Sequence, residues 1–62
     1  MTPQMIKLLT LASTKVGAAA TNFETWKEAY NKGWIKRDGY RQNSMTERFV
    51  ITAEGAKALE AV

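Results

Sequence analysis

Residues 32–48 hold Lys32, Lys36, Arg37, Arg41 and Arg48 against Asp38 and Glu47, five positive charges less two negative, a net of +3 that equals the formal charge of the whole chain. Elsewhere Lys7, Lys15, Lys27 and Lys57 balance Glu24, Glu28, Glu54 and Glu60. Lysines and arginines gathered on one short stretch suit phosphate contact, because neutralising phosphates releases their condensed counterions. Tyr40, Gln42 and Asn43 add a ring and two amides able to reach into a groove. Chemistry of other kinds has little to work with. The chain has neither cysteine nor histidine, which removes disulfides, thiolate–metal sites and the commonest general base. Ser13 and Ser44 therefore have no histidine to activate them. Glu24 and Glu28 are spaced like paired carboxylates, but on an open helix face they are expected to be solvated, not to act as acid and base. No enzyme, metal or cofactor is expected.

Sixty-two residues allow a single domain, 1–62, which buries only about 60% of the surface its unfolded chain exposes. Hydrophobic residues make up 45% and charged ones 24%, too apolar a balance for a disordered chain. The opening "MTPQMIKLLTLASTKVGAAAT" has a faint look of a signal peptide, but Thr10 interrupts its short apolar core and Lys15 falls where that core should continue. No run approaches the ~20 apolar residues of a membrane span. A cytoplasmic protein without a membrane partner is expected.

Thr2 and Pro3 form a cap followed by proline at the first helical position. Met5, Leu8, Leu9, Ala12 and Val16 then give the spacing of one buried stripe, predicting a helix over roughly 3–14. The segment "KVGAAAT" (15–21) reads as a loop or as one short helical turn. Thr21 to Glu24 fits a capping box, and Phe23, Trp26 and Tyr30 line the expected buried face of the helix that follows. Gly33 stops that helix. Trp34 to Arg37 read as a short strand, Asp38-Gly39 as a turn and "YRQNSMTE" as a polar loop. Trp26 and Trp34 are expected to supply most of the core, since each aromatic buries roughly 150–250 Å².

The closing stretch "RFVITAEGAKALEAV" begins with a strand at Arg48 to Ile51, rich in β-branched and aromatic residues. Thr52 suits an N-cap. Gly55, Ala56, Leu59 and Val62 then fall on one side of a helix, with Glu54, Lys57 and Glu60 on the other. Gly55 costs roughly 1 kcal/mol of helix propensity against alanine; its use is to let another backbone come close. A two-stranded hairpin is not stable alone, so it must lie against the helices. The expected class is α+β.

"AYNKGWIKRDGY…ERFVITAEGAKAL" resembles the second half of a winged helix-turn-helix domain of the MarR/PadR type. The resemblance rests on Lys32, Gly33, Trp34 and Ile35, then on Ile51, Thr52 and Gly55, and it covers about half the chain. It implies a small winged helix of about three helices with a two-stranded β-hairpin wing, with residues 15–20 serving as its second helix. It also implies a double-stranded DNA partner, contacted by Asn22, Thr25, Asn31 and Lys32 on the reading helix and by Lys36, Arg37, Arg41 and Arg48 in the wing. Such a protein would be a transcriptional regulator or a phage or mobile-element accessory factor. A homodimer is expected of such a regulator, since one small domain reads few bases. The alternative is a winged helix that binds or inhibits a protein partner through the face carrying Glu24 and Glu28, which otherwise form a helix cap and an i, i+4 pair with Lys32.

Overall fold

The computed structural model describes residues 1–19, 22–40 and 46–62. Three helices and one antiparallel hairpin follow in the order α1 (Pro3–Ala12), α2 (Phe23–Asn31), β1 (Ile35–Tyr40), β2 (Glu47–Ile51), α3 (Ala53–Glu60). The chain is thus a small α+β domain, as expected.

The Thr2 hydroxyl accepts from the Met5 N–H at 3.2 Å, and Pro3 fills the first helical position, whose N–H would have had no helical partner. Met5, Leu8, Leu9 and Ala12 of α1 are buried. The stripe ends there: α1 stops two residues before the expected boundary, and Val16 is exposed. Ser13 and Thr14 hydroxyls donate to the carbonyls three residues back, offering the backbone an alternative to further helix.

Residues 15–19 do not make a second helix. Ala18 instead exchanges two backbone hydrogen bonds of 2.9 Å with Phe49, forming an isolated antiparallel bridge on the open edge of β2. The small side chains at 17–19 serve a close approach to a strand.

Asn22, not Thr21, caps α2; its side-chain oxygen accepts from the Thr25 N–H at 3.3 Å. Thr21 itself lies outside the described residues. At the other end the Gly33 N–H donates to the Tyr30 carbonyl and the Trp34 N–H to the Ala29 carbonyl, the paired bonds of a Schellman stop. The buried residue of α2 is Ala29. Trp26 is partly buried against the core, whereas Phe23 is 64% and Tyr30 48% exposed. At 100° per residue, Phe23 and Tyr30 sit about 40–60° beyond Trp26, on the side away from Ala29. They form the rim of the buried face, not its centre.

β1 and β2 pair Ile35 with Ile51, Lys36 with Val50, Arg37 with Phe49, and Tyr40 with Glu47. Asp38-Gly39 is therefore not the turn: the two residues lie inside β1 and together stand opposite Arg48 alone, a β-bulge. Gly39 has φ +69° there, which a side chain would resist. Of the polar loop expected over residues 40–47, Tyr40 lies in β1 and Glu47 in β2, and residues 41–45 fall outside the described ones.

Met5, Leu8, Leu9, Ala12, Ala18, Ala29, Ile35 and Phe49 make the core, with Ile51 and Leu59 packed against it; Trp26 and Trp34, expected to be most of it, are only partly buried on its outside. Among the described residues, the Trp26 indole N–H is the buried side-chain polar atom without a partner. The last helix is fastened by Thr52. Its hydroxyl accepts from the Gly55 N–H at 3.1 Å and donates to the Gly33 carbonyl at 2.5 Å, while its own N–H donates to the Trp34 carbonyl at 2.9 Å. Gly55 is buried, and a Cβ there would collide with the Trp34 carbonyl and come within 2.8 Å of Ile51 Cγ1. Val62, expected on the same face, is exposed.

Two effects oppose each other at Gly55. Alanine gains about 1 kcal/mol of helix propensity, yet overpacking against a backbone carbonyl costs typically about 1–3 kcal/mol. Because the obstacle is backbone, the clash wins. Gly55→Ala is expected to lower the melting temperature by several degrees, on the scale of roughly 4–8 °C per kcal/mol for a domain this small; circular dichroism melts check it. An unchanged or raised melting point would mean that α3 does not sit this close to Trp34.

Candidate nucleic-acid interface

Side chains alternate across a hairpin, and residues directly opposite share a face. Arg37, opposite the buried Phe49, therefore lies on the hairpin face that meets α2, with Glu47 two residues before Phe49 on the same side. Lys36, opposite Val50, lies on the reverse face, and so does Arg48. The hairpin carries cations on both sides.

They are not equally available. Arg37 pairs with Glu47 at 2.9 Å in an exposed setting. Arg48 is held more firmly: one guanidinium nitrogen meets Asp38 at 2.6 Å and the other donates to the Lys15 carbonyl at 3.0 Å. Its side chain is only 25% exposed, and its stem lies over Gly17, where a Cβ would come within 2.7 Å of Arg48 Cγ. The sequence offered Arg48 as a phosphate ligand; in the fold it ties the hairpin to the segment after α1. Lys36 is exposed and makes no ion pair among the described residues. Arg41, also a candidate, lies outside the described residues.

The candidates on α2 divide between its two ends. Asn31 and Lys32 are exposed at the C-terminal end, where Lys32 meets Glu28 at 3.7 Å and lies 4.8 Å from the centroid of the Trp34 ring. Asn22 and Thr25, at the N-terminal end, line a cleft of about 280 Å³ with Gln4, Lys7, Leu8 and Leu11 of α1 and residues 17–19. The fold therefore brings Lys32, Lys36, Arg37 and Arg48 to the hairpin end and sets Asn22 and Thr25 apart. Sequence reasoning missed Gln4 and Lys7. Position on the outer face of α1 is a signal of solvent contact but not of which neighbour shares it.

The aromatic residues expected as the buried face of α2 form instead a partly exposed row of rings. Phe23 and Trp26 lie 5.8 Å apart, Trp26 and Tyr30 stack at 5.4 Å with 16° between planes, and both Trp26 and Tyr30 present their planes nearly perpendicular to Phe49. Lys27 lies 5.9 Å from the Phe23 ring centroid. No group of three or more histidine, cysteine or acidic residues placed to hold a metal occurs among the described residues, and no helix among them is long and apolar enough to cross a membrane. Comparisons with protein-family models, curated proteins and solved structures give no significant match.

The two paired arginines should behave differently. Arg48→Ala removes a partly buried two-point tie and is expected to destabilise the fold by about 1–2 kcal/mol, since hydrogen bonds involving a charged group contribute roughly 1.5–3 kcal/mol and the Asp38 side is solvent-screened. Arg37→Ala removes an exposed pair and should cost at most about 0.5–1 kcal/mol. Urea denaturation of the two variants side by side measures the difference. Equal losses would show that Arg48 is no strut.

Proposed function

We propose that this domain binds DNA, with the hairpin contacting phosphates as the wing of a reduced winged helix. The observation that carries the reading is the placement of the cations on the two-stranded ribbon, with Lys36 exposed on one face and Arg37 on the other, within the stretch 32–48 that holds a net +3 in the sequence. A ribbon with cations on both sides suits a groove walled by two phosphate backbones. The Gly33 stop after α2 and the Thr52–Gly55 junction after β2 fall where the resemblance to winged helices places them.

The reading of bases along α2 has less support. Within the segment expected as the second helix, Ala18 instead makes a bridge to Phe49, so among the described residues no helix stands between α1 and α2. Asn22 uses its side-chain oxygen as a cap, and Thr25 lines the cleft against α1. Backbone contact with little sequence preference is the form of DNA binding this arrangement favours, and phosphate contacts position without specifying. A role as regulator or accessory factor in the cytoplasm fits such binding, and a homodimer would add a second contact. The protein-partner alternative at Glu24 and Glu28 draws no support from an exposed Glu28–Lys32 pair at 3.7 Å, a common solvated arrangement.

Fluorescence anisotropy with labelled duplex DNA tests the reading. Binding should weaken steeply with salt, and Lys36→Ala should reduce the slope of log K against log salt by about one. The triple variant Lys36→Ala, Arg37→Ala, Arg41→Ala should abolish binding while keeping its circular dichroism spectrum. No binding of the unaltered protein even at low salt would reject the proposal.

A further inference from the structure

The bulge in β1 has a geometric effect on the surface. Residues three apart on a regular strand point to opposite faces, so Arg37 and Tyr40 would be separated by the sheet. Because Asp38 and Gly39 together oppose Arg48, Tyr40 instead stands opposite Glu47, on the same face as Arg37 and Phe49. Bulges re-aim side chains in this way. The face so completed runs from Phe23 through Trp26 and Tyr30 to Phe49 by ring contacts, then to Arg37 opposite Phe49 and to Tyr40. Phe23, Tyr30 and Tyr40 are all exposed along it. Trp26 stacks on one side of Tyr30, which leaves a half-exposed ring at the end of a stack.

Intact duplex offers such rings nothing to stack on except its ends, because its bases already stack on each other. Unpaired bases offer a π-face each, and stacking on aromatic side chains beside cations is how single strands are held with little sequence preference. The carboxylate on the hairpin part of this face, Glu47, is engaged with Arg37 at 2.9 Å, while Glu24 and Glu28 lie about 100° and 140° around α2 from Phe23, Glu28 paired there with Lys32 at 3.7 Å. The surplus charge of the adjoining hairpin remains positive and suits an anionic strand. We propose that the face formed by Phe23, Tyr30, Arg37 and Tyr40 takes unpaired bases, so that the preferred ligand is DNA with a single-stranded segment beside the duplex. The inference rests on the reading of the hairpin as a phosphate-contacting wing.

The test compares a blunt duplex with the same duplex carrying an oligothymidine tail, both labelled, by anisotropy at low salt. The tail is expected to tighten binding by about fivefold or more, the lower range for one stacked base. Phe23→Ala and Tyr30→Ala should each remove most of that gain and leave binding of the blunt duplex unchanged, while Tyr30→Trp, which keeps a ring, should retain it. Thermal melts confirm that each variant folds; Phe23, the more exposed of the two, is the variant that least disturbs packing. Equal binding of tailed and blunt DNA, or a tail gain that survives both alanine substitutions, overturns this inference and leaves the wing proposal standing. Binding of the blunt duplex lost together with the tail gain in Phe23→Ala also overturns it, since the rings would then serve the duplex. No binding of either DNA removes both proposals and points to a protein partner for the aromatic face.

Discussion

Phe49 joins three segments that are far apart in sequence, and the rest of the domain depends on that junction. In an antiparallel strand the N–H and C=O of one residue point to the same edge. Those of Phe49 point to Ala18 and make two bonds of 2.9 Å, so Phe49 faces Arg37 of β1 as a pair without hydrogen bonds. Its ring is 3% exposed and lies beneath Trp26 and Tyr30 of α2. One residue thus fixes the hairpin to the segment after α1 and to the helix before the hairpin. A two-stranded hairpin gains its stability from such attachments, and a chain this short, stable by only about 3–9 kcal/mol at ordinary values per residue, has few others.

The attachment is repeated at the base of the hairpin by different chemistry. Thr52 links the end of α2 to the start of α3 through Gly33, Trp34 and Gly55, and Arg48 links the outer hairpin to Lys15. Polar groups at these three junctions serve orientation more than hydrophobic burial does. The direction in which the hairpin extends, and so where its cations lie relative to α2, follows from them. This is the link between the fold and the proposed DNA contact.

Much of the framework was legible in the sequence because it depends on local signals. Thr2-Pro3, Thr52 and Gly33 act within a turn of their own positions, and each does what its residue type suits it for. Gly55 was legible as a close approach because glycine on a buried helix face has few other uses. What was not legible depends on partners distant in sequence. The bridge of Ala18 to Phe49 is made by backbone, which carries no residue-type signature. The displacement of Phe23 and Tyr30 to the rim follows from Ala29 meeting the core, and apolar spacing alone does not say which flank of a wide stripe turns inward. Of the candidate site, the clustering of Lys32, Lys36, Arg37 and Arg48 was visible in sequence. The pairing of Lys32 with Glu28 was visible there too, but the separation of Lys36, without an ion pair among the described residues, from the solvated Arg37–Glu47 pair and the Arg48 strut required the register of the hairpin.

The bulge at Asp38-Gly39 makes the outer hairpin a matter of parity. Every residue of β1 beyond it is offset by one from the alternation set at Ile35. Loss of a single residue at 38 or 39 would remove the bulge and leave a regular ladder, with the inner pairs Ile35–Ile51, Lys36–Val50 and Arg37–Phe49 and the outer pair Tyr40–Glu47 all in place. Drawing the bulge out into regular pairing at unchanged length would instead slide Tyr40 one position along and turn it to the opposite side, away from Arg37. Related chains of the same architecture but one residue shorter here would therefore keep the same outer surface on a straighter, less twisted ladder.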